Sequence, residues 1–237
     1  MRLFTKALFI IIAIATANAS YAKGADTTLY YLVRQPKIAV ADPPLLILMH
    51  GIGSNEKDLF SFANELPAKF LVVSARGPYS VGQDSYAWYE ADFSTQDPVI
   101  NKAQAEKSRT TIIEFIGQLK KKYHFNDKQV YLCGFSQGAI MAYSVGLTRP
   151  DKIKGIAVLS GRIPEEIKPK IKPGKDLENL DVFITHGTRD NRINIRYARD
   201  SRDYLLHLGI KPTYKEYNDV HTINQEMFSD FLKWLNK

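Results

Sequence analysis

The chain has 237 residues, 45% hydrophobic, 24% charged and 11% aromatic, a balance that builds a globular core and excludes disordered, collagen-like and coiled-coil chains. Its single cysteine, Cys133, excludes an internal disulfide framework and any paired-cysteine metal site. The formal charge of +7 is scattered, apart from short clusters such as Lys120-Lys121-Lys122, and gives no ground for a nucleic-acid partner.

The first segment reads as an address. Arg2 and Lys6 precede an apolar run, Ala7 to Ala17, followed by Ala17-Asn18-Ala19 and Ser20-Tyr21-Ala22. A positive start, a short apolar stretch and small residues at a cleavage site describe a secretory signal peptide over 1–22, cut after Ala22 or Ala19. An uncleaved interfacial helix is the alternative. An apolar stretch of about 11 residues is too short to span ~30 Å of hydrocarbon as a helix, so no stable membrane anchor is expected. Removing 1–22 takes away two positive charges and no negative one, which leaves +5 on residues 23–237. An exported chain without disulfides fits a bacterial periplasm or the external medium.

The remainder, 23–237, reads as one domain. Five short runs are continuously apolar: Leu45–Met49, Phe70–Val73, Val130–Cys133, Ile156–Leu159 and Val182–Thr185. Such runs suit strands buried on both faces of a parallel sheet. A last strand is expected over Thr213–Tyr217. Helical periodicity appears over Ala103–Lys122, Ala139–Leu147, Ile195–Leu208 and Ile223–Leu235. Strand–helix alternation predicts an α/β fold, a mostly parallel, doubly wound sheet flanked by helices. Two stretches break the rhythm, Pro78–Asn101 and Gly161–Leu180, and each follows a predicted strand at the edge where ligands gather in open sheets. They are expected to wall a pocket.

Gly134-Phe135-Ser136-Gln137-Gly138 lies between an apolar strand and a helix, the context that a G-x-S-x-G nucleophile elbow requires. The serine must sit on a tight, strained turn, and side chains two residues to either side would collide there. A serine hydroxyl needs a base, and the base needs an orienting carboxylate. In this fold class the order is serine, acid, histidine. His207 falls inside a predicted helix and His186 closes a strand, whereas His221 follows the last strand in a loop that can reach back over the sheet edge. His221 is therefore the expected base. Asp190, in the loop after the penultimate strand, is the expected acid. Asp219 is too close to His221 along the loop and is read as a turn residue. His50-Gly51-Ile52-Gly53 follows the first buried strand, and the backbone amides of Ile52 and Gln137 are the expected oxyanion donors. Gly51 and Gly53 are expected at the pocket, with His50 shaping the loop.

Taken together, His50-Gly51-Ile52-Gly53 with Asp58-Leu59, Gly134-Phe135-Ser136-Gln137-Gly138-Ala139, His186-Gly187-Thr188-x-Asp190 and His221 resemble the phospholipase/carboxylesterase family of the α/β-hydrolases, which includes bacterial carboxylesterases and acyl-protein thioesterases. The resemblance implies a compact hydrolase without a large cap domain and a Ser136–Asp190–His221 triad. It also places Trp88 near the pocket. Ser54-Asn55 stand where the family commonly carries an acidic residue, and Asn191-Arg192 where it carries apolar ones.

The expected function is an exported serine esterase acting on small-molecule esters, with no cofactor or metal. A thioesterase or lysophospholipase of the same family shares the machinery. A non-catalytic binding protein on a hydrolase scaffold is the alternative of another class, and such proteins usually lack a triad member. Oligomeric state and physiological substrate are not legible.

Overall fold

The computed structural model describes residues 20–22, 27–92, 94 and 99–237. Residues 1–19, the greater part of the expected signal peptide, lie outside the described residues. In chain order the elements are β1 (Ser20–Ala22), β2 (Tyr31–Arg34), β3 (Leu45–Met49), α1 (Lys57–Phe60), β4 (Leu71–Ala75), β5 (Tyr79–Gly82), β6 (Ser85–Ala87), β7 (Ala91–Asp92), β8 (Val99–Ile100), α2 (Lys102–Lys122), β9 (Val130–Phe135) and α3 (Gln137–Thr148). They continue with β10 (Gly155–Leu159), a 3-10 turn at Glu165–Lys170, α4 (Lys175–Glu178), β11 (Asp181–Gly187), α5 (Ile195–His207), β12 (Thr213–Tyr217) and α6 (Gln225–Leu235).

Eight strands form one sheet in the order β1-β2-β4-β3-β9-β10-β11-β12. Neighbours from β4 to β12 pair in parallel, and β2 runs antiparallel to both β1 and β4. The mostly parallel sheet is the one that the apolar runs predict. Those runs are continuous because alternate side chains enter two cores. Leu45, Ile47 and Met49 pack with Ile112, Phe115, Met141 and Val145 under α2 and α3. Leu46 and Leu48 point the other way and join Leu59, Phe228, Phe231 and Trp234 under α1 and α6. Cys133 belongs to this second core, wholly buried in the central strand β9. Helix α3 is buried from Gln137 to Leu147, as befits a helix that is apolar on every side.

Several predicted boundaries shift. β9 runs through Gly134 to Phe135 and α3 begins directly at Gln137, so the turn between them is a single residue. α6 starts at Gln225, where the Asn224 side chain accepts the Met227 N–H at 2.8 Å, a side-chain cap that stops the helix reaching back to Ile223. Pro78–Asn101, expected to be irregular, contains two small hairpins, β5–β6 and β7–β8. Among the described residues no helix is long and apolar enough to cross a membrane.

Candidate active site

Ser136 forms the one-residue turn between β9 and α3, with φ 54° and ψ −116°, a conformation that costs a non-glycine residue on the order of 1–3 kcal/mol. Its surroundings enforce it. A β-carbon on Gly134 would come within 2.2 Å of the Gly138 backbone, and one on Gly138 within 2.0 Å of the Met49 carbonyl. Neither position can carry a side chain while strand and helix stay this close. The Ser136 N–H donates to the Leu159 carbonyl at 2.9 Å, which fixes the turn to the end of β10.

The imidazole of His221 reaches back from the loop after β12. Its Nε2 lies 2.9 Å from Ser136 Oγ, and its Nδ1 lies 2.6 Å from Asp190 Oδ2. The structure thus brings together three side chains that the sequence separates widely, with serine and histidine 85 positions apart. The Phe135 ring packs against the imidazole, 4.8 Å between the ring centroids.

Asp190 accepts more than one histidine. Its Oδ1 takes the backbone N–H groups of Arg192 and Ile193 at 2.8 and 2.9 Å. Its Oδ2 also lies 3.1 Å from Nε2 of His186, a fully buried residue. Nε2 of His186 donates to the Ile193 carbonyl at 2.7 Å, so the proton sits on that nitrogen and is shared with the carboxylate. Burial alone would raise the Asp190 pKa, but the His186 and His221 hydrogen bonds and the two amides hold it well below the usual carboxylate range. The sequence places His186 at a strand end, in the same short turn and motif as Asp190, but assigns it no role toward that carboxylate.

The expected oxyanion loop abuts the nucleophile: a β-carbon on Gly51 would stand 3.3 Å from Ser136 Cβ. The Gly51 carbonyl accepts the Ser54 N–H, which makes Ile52 the first central residue of a turn. Gln137 is the first residue of α3, where backbone N–H groups have no partner within the helix. Gly53 lies further out, exposed and bonded through its N–H to the Tyr86 carbonyl. His50 is fully buried and holds this loop. Its Nδ1 donates to the Gly51 carbonyl at 2.7 Å, and its Nε2 accepts the Gly77 N–H at 2.9 Å. That pair of bonds requires a neutral ring, and burial lowers the His50 pKa in the same direction.

Trp88 does not face a pocket. It is fully buried, its indole N–H donates to the His50 carbonyl at 3.0 Å, and its backbone N–H donates to Gln137 Oε1 at 2.8 Å. Its side chain fills the space behind the loop, and its backbone N–H ties the segment to the first residue of α3. The neighbouring Tyr89 does line a cleft of about 200 Å³, with Ile140, Met141, Pro164 and Ile167. Ile140 is one helical turn beyond Ser136, and both irregular stretches contribute walls. A larger depression of about 500 Å³, walled by Arg149, Pro150, Lys172 and Lys175, lies at the far end of α3 from the serine. Size alone does not locate the chemistry.

One further brace escaped the sequence reading. Glu56 is fully buried and pairs with Arg76 through both carboxylate oxygens. The Arg76 guanidinium also lies over the Tyr30 and Tyr86 rings, 4.1 and 4.3 Å from their centroids. A lone glutamate in a polar loop carries no signal that its partner stands 20 residues away.

Comparison with known proteins agrees with this architecture. A family model described as phospholipase/carboxylesterase matches residues 34–237. Acyl-protein thioesterase 1 of Yarrowia lipolytica is 28% identical over 229 residues, covering 88% of this chain and 97% of the relative. Esterase YpfH of Escherichia coli is 26% identical over 172 residues, covering 70% and 69% respectively. Among solved structures, esterase PE8 superposes with a TM-score of 0.76 at 26% identity, covering 88% of this chain and 98% of that one. The carboxylesterase of Bacillus cereus shares the fold with a TM-score of 0.76 at 20% identity, covering 88% and 94%.

Proposed function

The chain belongs to the phospholipase/carboxylesterase family of the α/β-hydrolases and is an ester or thioester hydrolase; on that premise we propose that it is an exported serine esterase that works through Ser136, His221 and Asp190. The observation that carries this reading is the pair of contacts at His221, 2.9 Å to Ser136 Oγ and 2.6 Å to Asp190 Oδ2.

In the proposed reaction Ser136 Oγ attacks the ester carbonyl as His221 Nε2 takes its proton. Asp190 accepts the Nδ1–H and stabilises the imidazolium. The carbonyl oxygen, now negative, is held by the amides of Ile52 and Gln137, with the N-terminus of α3 adding its favourable dipole. The alkoxide departs with the proton from His221 and leaves an acyl-serine. Water, deprotonated by the same imidazole, then releases the acid and restores the serine. Oxygen esters of small alcohols or phenols are the proposed substrates, because an exported enzyme does not meet acyl-proteins and acyl-CoA esters of the cytosol.

Labelling with a fluorophosphonate, followed by peptide mapping, tests the assignment: the adduct is expected on Ser136. Ser136→Ala should lose both labelling and turnover, the latter by on the order of 10⁴-fold or more. Turnover that survives this change overturns the reading.

A further inference from the structure

The backbone leaving β10 begins at the nucleophile, since the Leu159 carbonyl holds the Ser136 N–H. Arg162 stands three residues beyond that carbonyl, within about 11 Å of it even for an extended chain. The segment is not extended. Ser160 adopts φ 56°, and a β-carbon on Gly161 would come 2.5 Å from Ala139 Cβ, so the chain folds onto the first turn of α3. Arg162, half-buried, stands on this folded-back segment.

Its guanidinium lies 5.7 Å from the centroid of the Tyr197 ring, which also receives Arg196 at 4.9 Å. On the other side its charge is felt at Tyr89, whose phenol is pushed up to about 12 by burial while Arg162 draws it back. Among the described residues no carboxylate pairs with Arg162. Glu166, in the wall of the neighbouring cleft, is engaged by Lys102 at 3.2 Å, and Asp190 is filled by the donors described above. A second arginine, Arg192, is exposed on the loop that carries Asp190. A half-buried guanidinium with aromatic contacts and no counter-charge has given up hydration without an anion in return. Such a cation gains most from an anion that arrives from outside.

We propose that Arg162 is a substrate-recognition residue and that the preferred esters carry a carboxylate a few bonds from the scissile carbonyl. This rests on the esterase reading above and narrows its substrate class.

Three esters test it: ethyl pentanoate as the neutral reference, monoethyl glutarate with the charge on the acyl side, and O-pentanoyl glycolate with the charge on the alcohol side. At least one charged ester is expected to exceed the neutral one in kcat/KM by roughly ten- to a hundredfold, mainly through KM. The advantage should shrink as salt is raised. Arg162→Met should collapse the charged-to-neutral ratio, and Arg162→Lys should keep part of it. A neutral ester that is equal or preferred overturns the proposal. So does an Arg162→Met variant that loses the same factor on all three, since Arg162 would then only brace Tyr197. Normal labelling of Ser136 by a neutral fluorophosphonate shows that each variant is folded. Absence of both labelling and turnover in the unmodified enzyme overturns the esterase reading itself, and this proposal with it.

Discussion

At the scale of single residues, the proposed acid is the most heavily supported group in the site. Asp190 collects two backbone amides on one oxygen and two imidazoles on the other. His186 reaches the reacting atoms only through this carboxylate and is a positioning residue. His186→Leu removes the one N–H that Asp190 and the Ile193 carbonyl share. The expected result is a fall in kcat of about tenfold with KM little changed, and partial recovery in His186→Gln, which keeps an N–H. Steady-state kinetics normalised to fluorophosphonate-reactive sites measures both. The lowered Asp190 pKa also sets a pH dependence. A carboxylate depressed in the folded state contributes stability that is full above the ordinary aspartate pKa of about 4 and is lost as pH falls toward the folded value. Urea denaturation should therefore show a stability gap between the unmodified enzyme and Asp190→Asn that closes only as the pH falls below about 4.

At the scale of elements, the turn between β9 and α3 depends on two bare backbone positions. Gly138→Ala would press a methyl group into the Met49 carbonyl, so β3 and α3 must separate. The expected cost is roughly 1–3 kcal/mol, read as a fall in Tm on the order of 5 °C. Gly117 supplies the contrast within α2: it is exposed, and a β-carbon there meets nothing within 4 Å. Gly117→Ala should leave Tm unchanged or raise it, because alanine favours helix by up to ~1 kcal/mol over glycine. The long parallel strands were legible because each is apolar towards both cores, as Leu45–Met49 is. The hairpins β5–β6 and β7–β8 were not, since strands of two to four residues are too short to show an alternation. Gly134, expected just beyond the strand, is the fifth residue of β9. The three proposed triad residues stood out because motif and chain order mark them. His186 on Asp190, and Arg76 on Glu56, did not, because their meaning lies in pairings that only the folded chain creates.

At the scale of the whole molecule, the proposed export has a structural consequence at the edge of the sheet. Ser20–Ala22 pair with Tyr31–Val33, so cleavage after Ala19 keeps this strand and cleavage after Ala22 deletes it. Retention covers part of β2, which would otherwise become the exposed edge. Intact mass of enzyme recovered from the periplasm or medium of an expressing host is expected to show Ser20 as the first residue. Recovery only of uncleaved protein inside the cell would refute export. The thiol of Cys133 lies in the central strand, wholly enclosed, and burial raises its pKa strongly. No oxidant or alkylating reagent can meet it while the sheet is intact, so the native enzyme should neither dimerise through sulfur nor respond to thiol poisons. Slow alkylation in the native state would then clock the rare openings of the entire core, giving this hydrolase an internal gauge of its own kinetic lifetime.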